Sequence, residues 1–280
     1  MNRRCAVLCG ALALALAGCR LAPPPSTGKP PAPASTPTAT PRPATTLPAQ
    51  RPLPAGLDVL RVGLPAQDDP NRVVQVTAAR ADLAKLRVRV VTAPADRAQW
   101  PRAAQVAKRE AAVAAINGGY FDDHNRPLGL VISDHKVVNR LRRADWGVFE
   151  VRGGRAEVVH TKKFMGTAGV EQALQCGPRL VASGRPTKLK ESLPSERAAV
   201  GVDEAGRVLL AATTRGRVSL QEFADLLARP VSAGGLGCRD ATNLDGGPSA
   251  QLCIPGEADL PGVYGMPTHL VVEPRSAGER

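Results

Sequence analysis

Asn243-Leu244-Asp245-Gly246-Gly247-Pro248-Ser249 completes a short apolar run, residues 241–244, with a carboxylate and two glycines. The run reads as a buried strand, which puts Asp245 at a strand end. A carboxylate there is poorly solvated unless it is paired, and burial with hydrogen bonding would tune its pKa for nucleophilic or base work. The plainer alternative is an aspartate that only shapes a turn. Two other segments share this pattern of apolar strand and glycine-rich polar loop. Asn117-Gly118-Gly119-Tyr120-Phe121-Asp122-Asp123 follows the apolar residues 112–116, and Gln175-Cys176-Gly177-Pro178-Arg179-Leu180-Val181 turns through Gly-Pro into a further strand. Paired glycines let a backbone turn tightly and approach a ligand, and Asn117 offers both donor and acceptor. Asp122 and Asp123 read as acids, bases, metal ligands or solvated turn residues. The Arg179 fork suits a phosphate, or simply a wet strand end.

Outward from these loops the chain reads as many short strands and few helices. Apolar, β-branched stretches predict strands over 58–64, 72–77, 86–92, 128–133, 146–152, 156–160, 179–182, 198–202, 208–213, 249–254 and 269–272. Pro101 opens a helix with Ala103, Ala104, Ala107 and Ala111 on one face. A second helix starts at a capping box, Ser219 with Glu222, and carries Leu220, Phe223, Ala224 and Leu227 as one stripe. This order of elements gives the fold class: α/β in the broad sense (α+β), a mixed β-sheet domain with a few helices.

Arg3 and Arg4 precede an apolar stretch over 6–17, shorter than the roughly 20 residues that span a bilayer. Leu16-Ala17-Gly18-Cys19 then matches a lipobox, in which the Cys19 thiol takes a diacylglycerol and becomes the new N-terminus. Acyl chains anchor with about 0.8 kcal/mol per buried CH₂. Residues 1–19 are thus read as a lipoprotein signal peptide. Arg20 gives no inner-membrane retention signal. The expected location is the cell envelope, lipid-anchored, at the outer membrane if the cell is Gram-negative. Residues 20–56 are dominated by Pro, Ala, Thr and Ser, bury too little to fold alone, and read as a disordered tether. Residues 57–275 remain as one domain with room for a full core.

The formal charge of +12 favours anionic partners. Nucleic acid is not expected among them, because aromatics make up 3% of the chain and no basic run exceeds Arg142-Arg143 or Lys162-Lys163. An anionic envelope polymer or phosphate-bearing substrate fits better. No H-E-x-x-H, C-x-x-C, G-x-S-x-G or P-loop is present, so no zinc site, serine elbow or nucleotide cofactor is expected. His124, beside Asp122 and Asp123, is the histidine expected in the pocket, and the others read as solvated or structurally satisfied. With Cys5 and Cys9 in the leader, Cys238 and Cys253 flank the Asp245 loop as candidates for a disulfide across adjacent strands, although spacing alone does not fix their separation. Cys176 then reads as a buried free thiol.

In chain order, Ala115-Ile116-Asn117-Gly118-Gly119-Tyr120-Phe121, Pro127-Leu128-Gly129-Leu130-Val131, residues 175–181, Arg197-Ala198-Ala199-Val200-Gly201 and residues 243–249 resemble the NGGFF, P-x-G-x-V, Q-x-G-P-x-L-V, R-[TS]-A-[IV]-G and NLDGGGS segments of the phosphodiester glycosidase family. Ala198, Pro248 and Ala250 depart from that pattern, which bears on specificity more than on fold. The resemblance implies motif loops gathered at one pocket. It also implies hydrolysis between an anomeric carbon and a phosphate oxygen, on a carbohydrate or sugar-phosphate substrate and without a cofactor. For that bond Asp245 is the expected nucleophile or base, Glu196 or Asp122 the partner acid, and Arg179 with Arg197 the clamp on the departing phosphate. Asn117, Gly118, Gly119, Gly246, Gly247 and Ser249 are the expected substrate-binding positions. Two other readings use the same loops: a non-catalytic lipoprotein that binds a glycan or phosphate polymer, and a metal-assisted phosphodiesterase with Asp122, Asp123 and Asp245 as oxygen ligands.

Overall fold

The computed structural model describes residues 52–65, 73–94 and 96–275. The expected signal peptide, Cys19 and the tether as far as residue 51 lie outside the described residues. Three sheets carry the strands. The first runs β1 (Leu57–Pro65), β2 (Val73–Ala81), β13 (Val208–Arg215), β12 (Ala198–Asp203), β14 (Cys238–Asn243), β10 (Arg179–Ala182), β11 (Arg185–Pro186). The second runs β16 (Ala258–Leu260), β15 (Leu252–Ile254), β4 (Ala114–Asn117), β17 (Thr268–Pro274), β3 (Leu86–Thr92). The third runs β6 (Lys136–Asn139), β5 (Val131–Ser133), β9 (Val170–Cys176), β7 (Gly147–Arg152), β8 (Arg155–His160). The class is α+β, and among the described residues the strand ladders are antiparallel throughout.

One core joins the sheets: Val200 and Leu210 from the first, Ile116 and Leu270 from the second, Phe149 and Leu174 from the third. The first sheet is also covered on its outer face, so β12 and β13 read as continuous apolar runs rather than alternating ones. There α2 (Leu220–Ala228) sets Phe223 and Leu227 against Leu180 and Leu209. Its capping box is formed as expected, Ser219 Oγ accepting from Glu222 N and Glu222 Oε2 accepting from Ser219 N. The helix α1 (Ala103–Arg109) lays Val106 and Ala107 on Ala115 and Val271 of the second sheet. Ala111, expected on that helix face, instead lies beyond its end, exposed and with φ of 51°.

β9 escapes a hydrophobic reading because Gln172 and Gln175 interrupt it, yet both are buried. Their amides replace ladder bonds between elements. Gln172 accepts from Val90 N and donates to Asp134, while Gln175 accepts from Leu130 N and Arg142 N and donates to Arg142 O and Thr161. The expected Cys238–Cys253 disulfide is corrected. Cys238 opens β14 in the first sheet and Cys253 sits in β15 of the second, opposite Ala115, in a different core cluster. Cys176, Cys238 and Cys253 are all buried free thiols.

His269, in β17, is fully buried, and among the described residues neither ring nitrogen has a hydrogen-bond partner. Burial, with Arg109 nearby, pushes its pKa down to about 3. The unfolded chain therefore takes up a proton near pH 6.5 that the folded chain refuses. Stability conferred by neutral His269 should be complete above about pH 6.5 and decline as pH falls toward 3. In urea titrations from pH 8 to 4, His269→Leu should flatten that decline and add about 1–3 kcal/mol at pH 7 by removing an unsatisfied polar group. An unchanged pH slope would show that His269 does not set it.

Candidate active site

The three glycine loops converge where β4, β9 and β14 end, and Asn117 is what joins two of them. Fully buried, it donates from Nδ2 to Gly118 O at 3.0 Å and to Asp245 O at 2.8 Å, and accepts from Gln251 N at 2.8 Å. Its expected contact with substrate is corrected accordingly: both donors and the carbonyl are engaged inside the protein. Gly118 and Gly119 are required by packing. A Cβ on Gly118 would overlap Thr268, and one on Gly119 would lie 3.1 Å from Gln175 O and 3.2 Å from Cys176 Cβ. Gly118 N donates to Thr268 O at 2.7 Å, and Gly118 O accepts from Asp245 N at 3.1 Å.

The Asp245 loop is seated on the strand that begins at Ala198. Leu244 N donates to Ala198 O at 2.8 Å and Gly247 N to Glu196 O at 2.7 Å. A Cβ on Gly246 would stand 2.9 Å from Glu196 O and 3.9 Å from Arg197 Cδ, and Gly247 has φ of 56°. With its backbone pinned on both sides, Asp245 keeps a half-buried carboxyl. Burial raises its pKa above the ordinary carboxylate value, opposed by hydrogen bonds from the Ser249 hydroxyl and Gly246 N–H. Ser249 is itself buried and shares a hydrogen bond of 3.0 Å with the Tyr264 hydroxyl.

Arg197 lies against this loop, half-buried. Its guanidinium donates to Val218 O at 3.0 Å and Leu193 O at 2.7 Å. Burial lowers its pKa from the ordinary value, and among the described residues no carboxylate forms an ion pair with it. A cation held by neutral carbonyls keeps its field available to an anion from outside. Arg179 stands further along. It opens β10 opposite Thr242, half-buried, and its side chain has no hydrogen-bonded partner among the described residues. Near it, His160 and Asp145 pair at 2.6 Å.

Neither expected partner acid is poised to give a proton. Burial alone would raise Glu196, but its ion pair with Arg217 at 2.9 Å and hydrogen bonds from its own N–H and Ser195 hold it below the ordinary value. Asp122 accepts from Arg126 N at 2.8 Å and pairs with the Arg126 guanidinium, which lowers it too. Among the described residues, its hydrogen bonds and ion pairs stay within that turn. Asp122, Asp123 and His124 do place their ligand atoms within 4.8 Å of one another, on the surface. Asp245 is not in that group, so the metal ligands expected to converge do not, and His124 is exposed beside Asp123 rather than in a pocket.

The residues missed by sequence reasoning are aromatic. The Tyr120 hydroxyl donates to Gly177 O at 2.7 Å and accepts from Asn243 Nδ2 at 3.0 Å. Its ring meets Trp146 edge to face with centres 5.4 Å apart. Trp146 packs where a side chain on Gly177 would have to go, and Arg142 lies over its ring at 5.8 Å. Cys176, beneath Tyr120, is inert: burial pushes its thiol up to about 12. A signal existed, since the chain has only 2 Trp and 2 Tyr and all four stand around these loops. A groove of about 1180 Å³ lies instead at the opposite strand ends, lined by Arg89, Asp134, Glu171, Glu204 and Arg239 among others. It holds none of the motif residues, and Arg89 and Arg239 there are already ion-paired.

These loops and their order along the chain are those of a known family. Residues 110–273 match the family model of the phosphodiester glycosidases, and the chain belongs to that family. Membership makes it a glycosidase, hence a hydrolase, by class. Its fold is similar to the catalytic domain of zebrafish N-acetylglucosamine-1-phosphodiester alpha-N-acetylglucosaminidase auto-inhibited by its pro-peptide, with TM-score 0.62 and 20% identity over 81% of this chain and 86% of that one. It is similar also to a hypothetical protein from Synechocystis (TM-score 0.53, 16% identity, 79% of this chain and 62% of that one). A putative exported protein from Burkholderia pseudomallei K96243 aligns with TM-score 0.53 and 13% identity, over 72% of this chain and 74% of that one. No protein of curated function matches the sequence.

The three hydrogen bonds of Asn117 predict that Asn117→Ala costs on the order of 3 kcal/mol, at about 1 kcal/mol each, read by urea unfolding. A loss below about 1 kcal/mol, under one such bond, would show that the loops hold without it.

Proposed function

We propose that this protein is an exported, lipid-anchored glycosidase that cleaves the bond between an anomeric carbon and a phosphate oxygen in a sugar-1-phosphodiester or related glycan of the cell envelope. The observation that carries the reading is one half-buried carboxylate, Asp245, whose glycine loop packs against Arg197, a half-buried cation that forms no ion pair among the described residues. A phosphomonoester has a second pKa of about 6, so it departs without strong protonation. Such a site needs a carboxylate at the anomeric carbon and positive charge at the leaving oxygen, and a proton donor is dispensable. Glu196 and Asp122, both held ionised by arginines, therefore take no acid role in the proposal.

Asp245 delivers the attack on the anomeric carbon, as nucleophile or by taking a proton from the attacking water. The bond from that carbon to the phosphate oxygen breaks with its electron pair on oxygen. Arg197 stabilises that charge, with Arg179 as a second cation. Tyr120 and Trp146 supply an apolar wall. The substrate class named for the zebrafish neighbour, an N-acetylglucosamine-1-phosphodiester, is the first to try. The +12 charge supports an anionic substrate, and the segment ending at Cys19 supports the anchor and an envelope location.

On a panel of α-glycosyl phosphodiesters, the wild type should release sugar, and Asp245→Asn should lose about 10²–10⁴-fold in kcat. Turnover that survives the substitution would sink the assignment. Glycan binding without turnover in either protein would favour the binding lipoprotein. Since Asp245 acts ionised and its pKa is raised, kcat/KM should fall on acidification with a limb above the ordinary value of about 3.9. Ser249→Ala removes a hydrogen bond that holds the carboxyl down, so it should move that limb to still higher pH. A downward move would contradict the assignment.

A further inference from the structure

On the Ser249 side of Asp245 the rim carries a cation that the proposed chemistry does not use. Arg97, exposed in the short turn Arg97–Gln99, holds its guanidinium carbon 5.6 Å from the ring centre of Trp100, 5.3 Å from that of Phe121 and 5.4 Å from that of Tyr264. The rings are fixed in turn. Trp100 meets Phe121 edge to face at 5.2 Å, and Trp100 Nε1 donates to Pro94 O at 2.9 Å. Tyr264 O accepts from Gln251 Nε2 at 2.7 Å, while its hydroxyl is bonded to Ser249. Ring contacts fix the position of a guanidinium without using its N–H groups. Among the described residues no acceptor takes those N–H groups. The neighbouring carboxylate, Asp96, is occupied by Ala98 N at 2.9 Å and Gln99 Nε2 at 3.1 Å.

We infer that Arg97 and its aromatic cradle form a second anion subsite, which takes an oxyanion, phosphate or carboxylate, carried by the substrate beyond the bond that Asp245 addresses. Phe121 comes from the first glycine loop and Tyr264 is bonded to the end of the third, so the subsite is built against both. Arg97 and Trp100 precede the family-matched residues 110–273, while Phe121 and Tyr264 lie within them. The substrate then carries at least two negative charges, one at the scissile diester and one at Arg97, as an envelope polymer with repeating charge does. The inference deepens the glycosidase reading and rests on it for the identity of the ligand, but its test reads binding and not turnover.

The chain has 2 tryptophans, and they report separate places: Trp100 lies under Arg97, and Trp146 beside Tyr120. The purified protein is titrated with inorganic phosphate while the two indole N–H resonances are followed by NMR, assigned with Trp146→Phe. The Trp100 resonance should move saturably. The response should disappear in Arg97→Gln, weaken about tenfold in Arg97→Lys, and persist in Arg197→Gln, with an undisplaced Trp146 resonance showing that each variant is folded. Sodium acetate distinguishes the sources: a response to phosphate alone assigns a phosphoester, and a response to both assigns carboxylated sugars as well. Movement of Trp146 alone, or an Arg97→Gln response equal to wild type, would overturn the subsite. A Trp100 response in a protein that hydrolyses no diester would leave the subsite standing and remove the glycosidase reading. Hydrolysis with a silent Trp100 would do the reverse.

Discussion

The buried amide of Asn117 is the tie on which the arrangement of loops depends. A single side chain, closed off from water, bonds the end of β4, the carbonyl of Asp245 and the start of the chain into β15. Such a tie only works if the backbones come close, which is why glycine follows at 118 and 119 and again at 246. The direction of the Asp245 carboxyl is thus inherited from the core rather than chosen by a loop. Preorganisation of that kind matters because misplacement by an ångström costs large factors in rate.

Around that fixed carboxyl the charges are sorted by whether they already have partners. Glu196 and Asp122 face Arg217 and Arg126, and each pair is neutral as a unit. Asp245 and Arg197 are supported instead by neutral donors and acceptors: Ser249 and Gly246 for the carboxyl, backbone carbonyls for the guanidinium. Half-burial without a directly paired opposite charge is unfavourable for either group. A bound anion at Arg197, or a cationic centre developing at Asp245, relieves it.

Features set by local sterics were legible in the sequence. The glycine pairs, the apolar runs leading into them, the Asp245 position and the capping box of α2 all follow from a few neighbouring residues. Features set by distant partners were not. Nothing local to Glu196 announces that Arg217, far along the chain, neutralises it. Gln172 and Gln175 interrupt the apolar pattern of β9, and the partners that let them be buried come from distant segments. Cys238 and Cys253 flank one loop yet enter different sheets, since the chain changes sheet at that loop. The cradle of Arg97 draws on Trp100, Phe121 and Tyr264, residues that no sequence window contains together.

The antiparallel ladders also decide when the molecule can come into being. β2 is closed on its inner side by β13, and β3 and β4 meet β17, the last strand of the chain. As the polypeptide emerges, the hairpin of β1 and β2 is the early pairing on offer, and a lone hairpin is marginal in water. Long-range pairing of this kind is slow to nucleate. The second sheet accordingly stays open until β17 is made, whereas the third, whose ladders all lie within residues 131–176, can pair earlier. For the exported chain proposed above, that lateness is an asset: the second sheet stays slack while a membrane is crossed and tightens only on the far side.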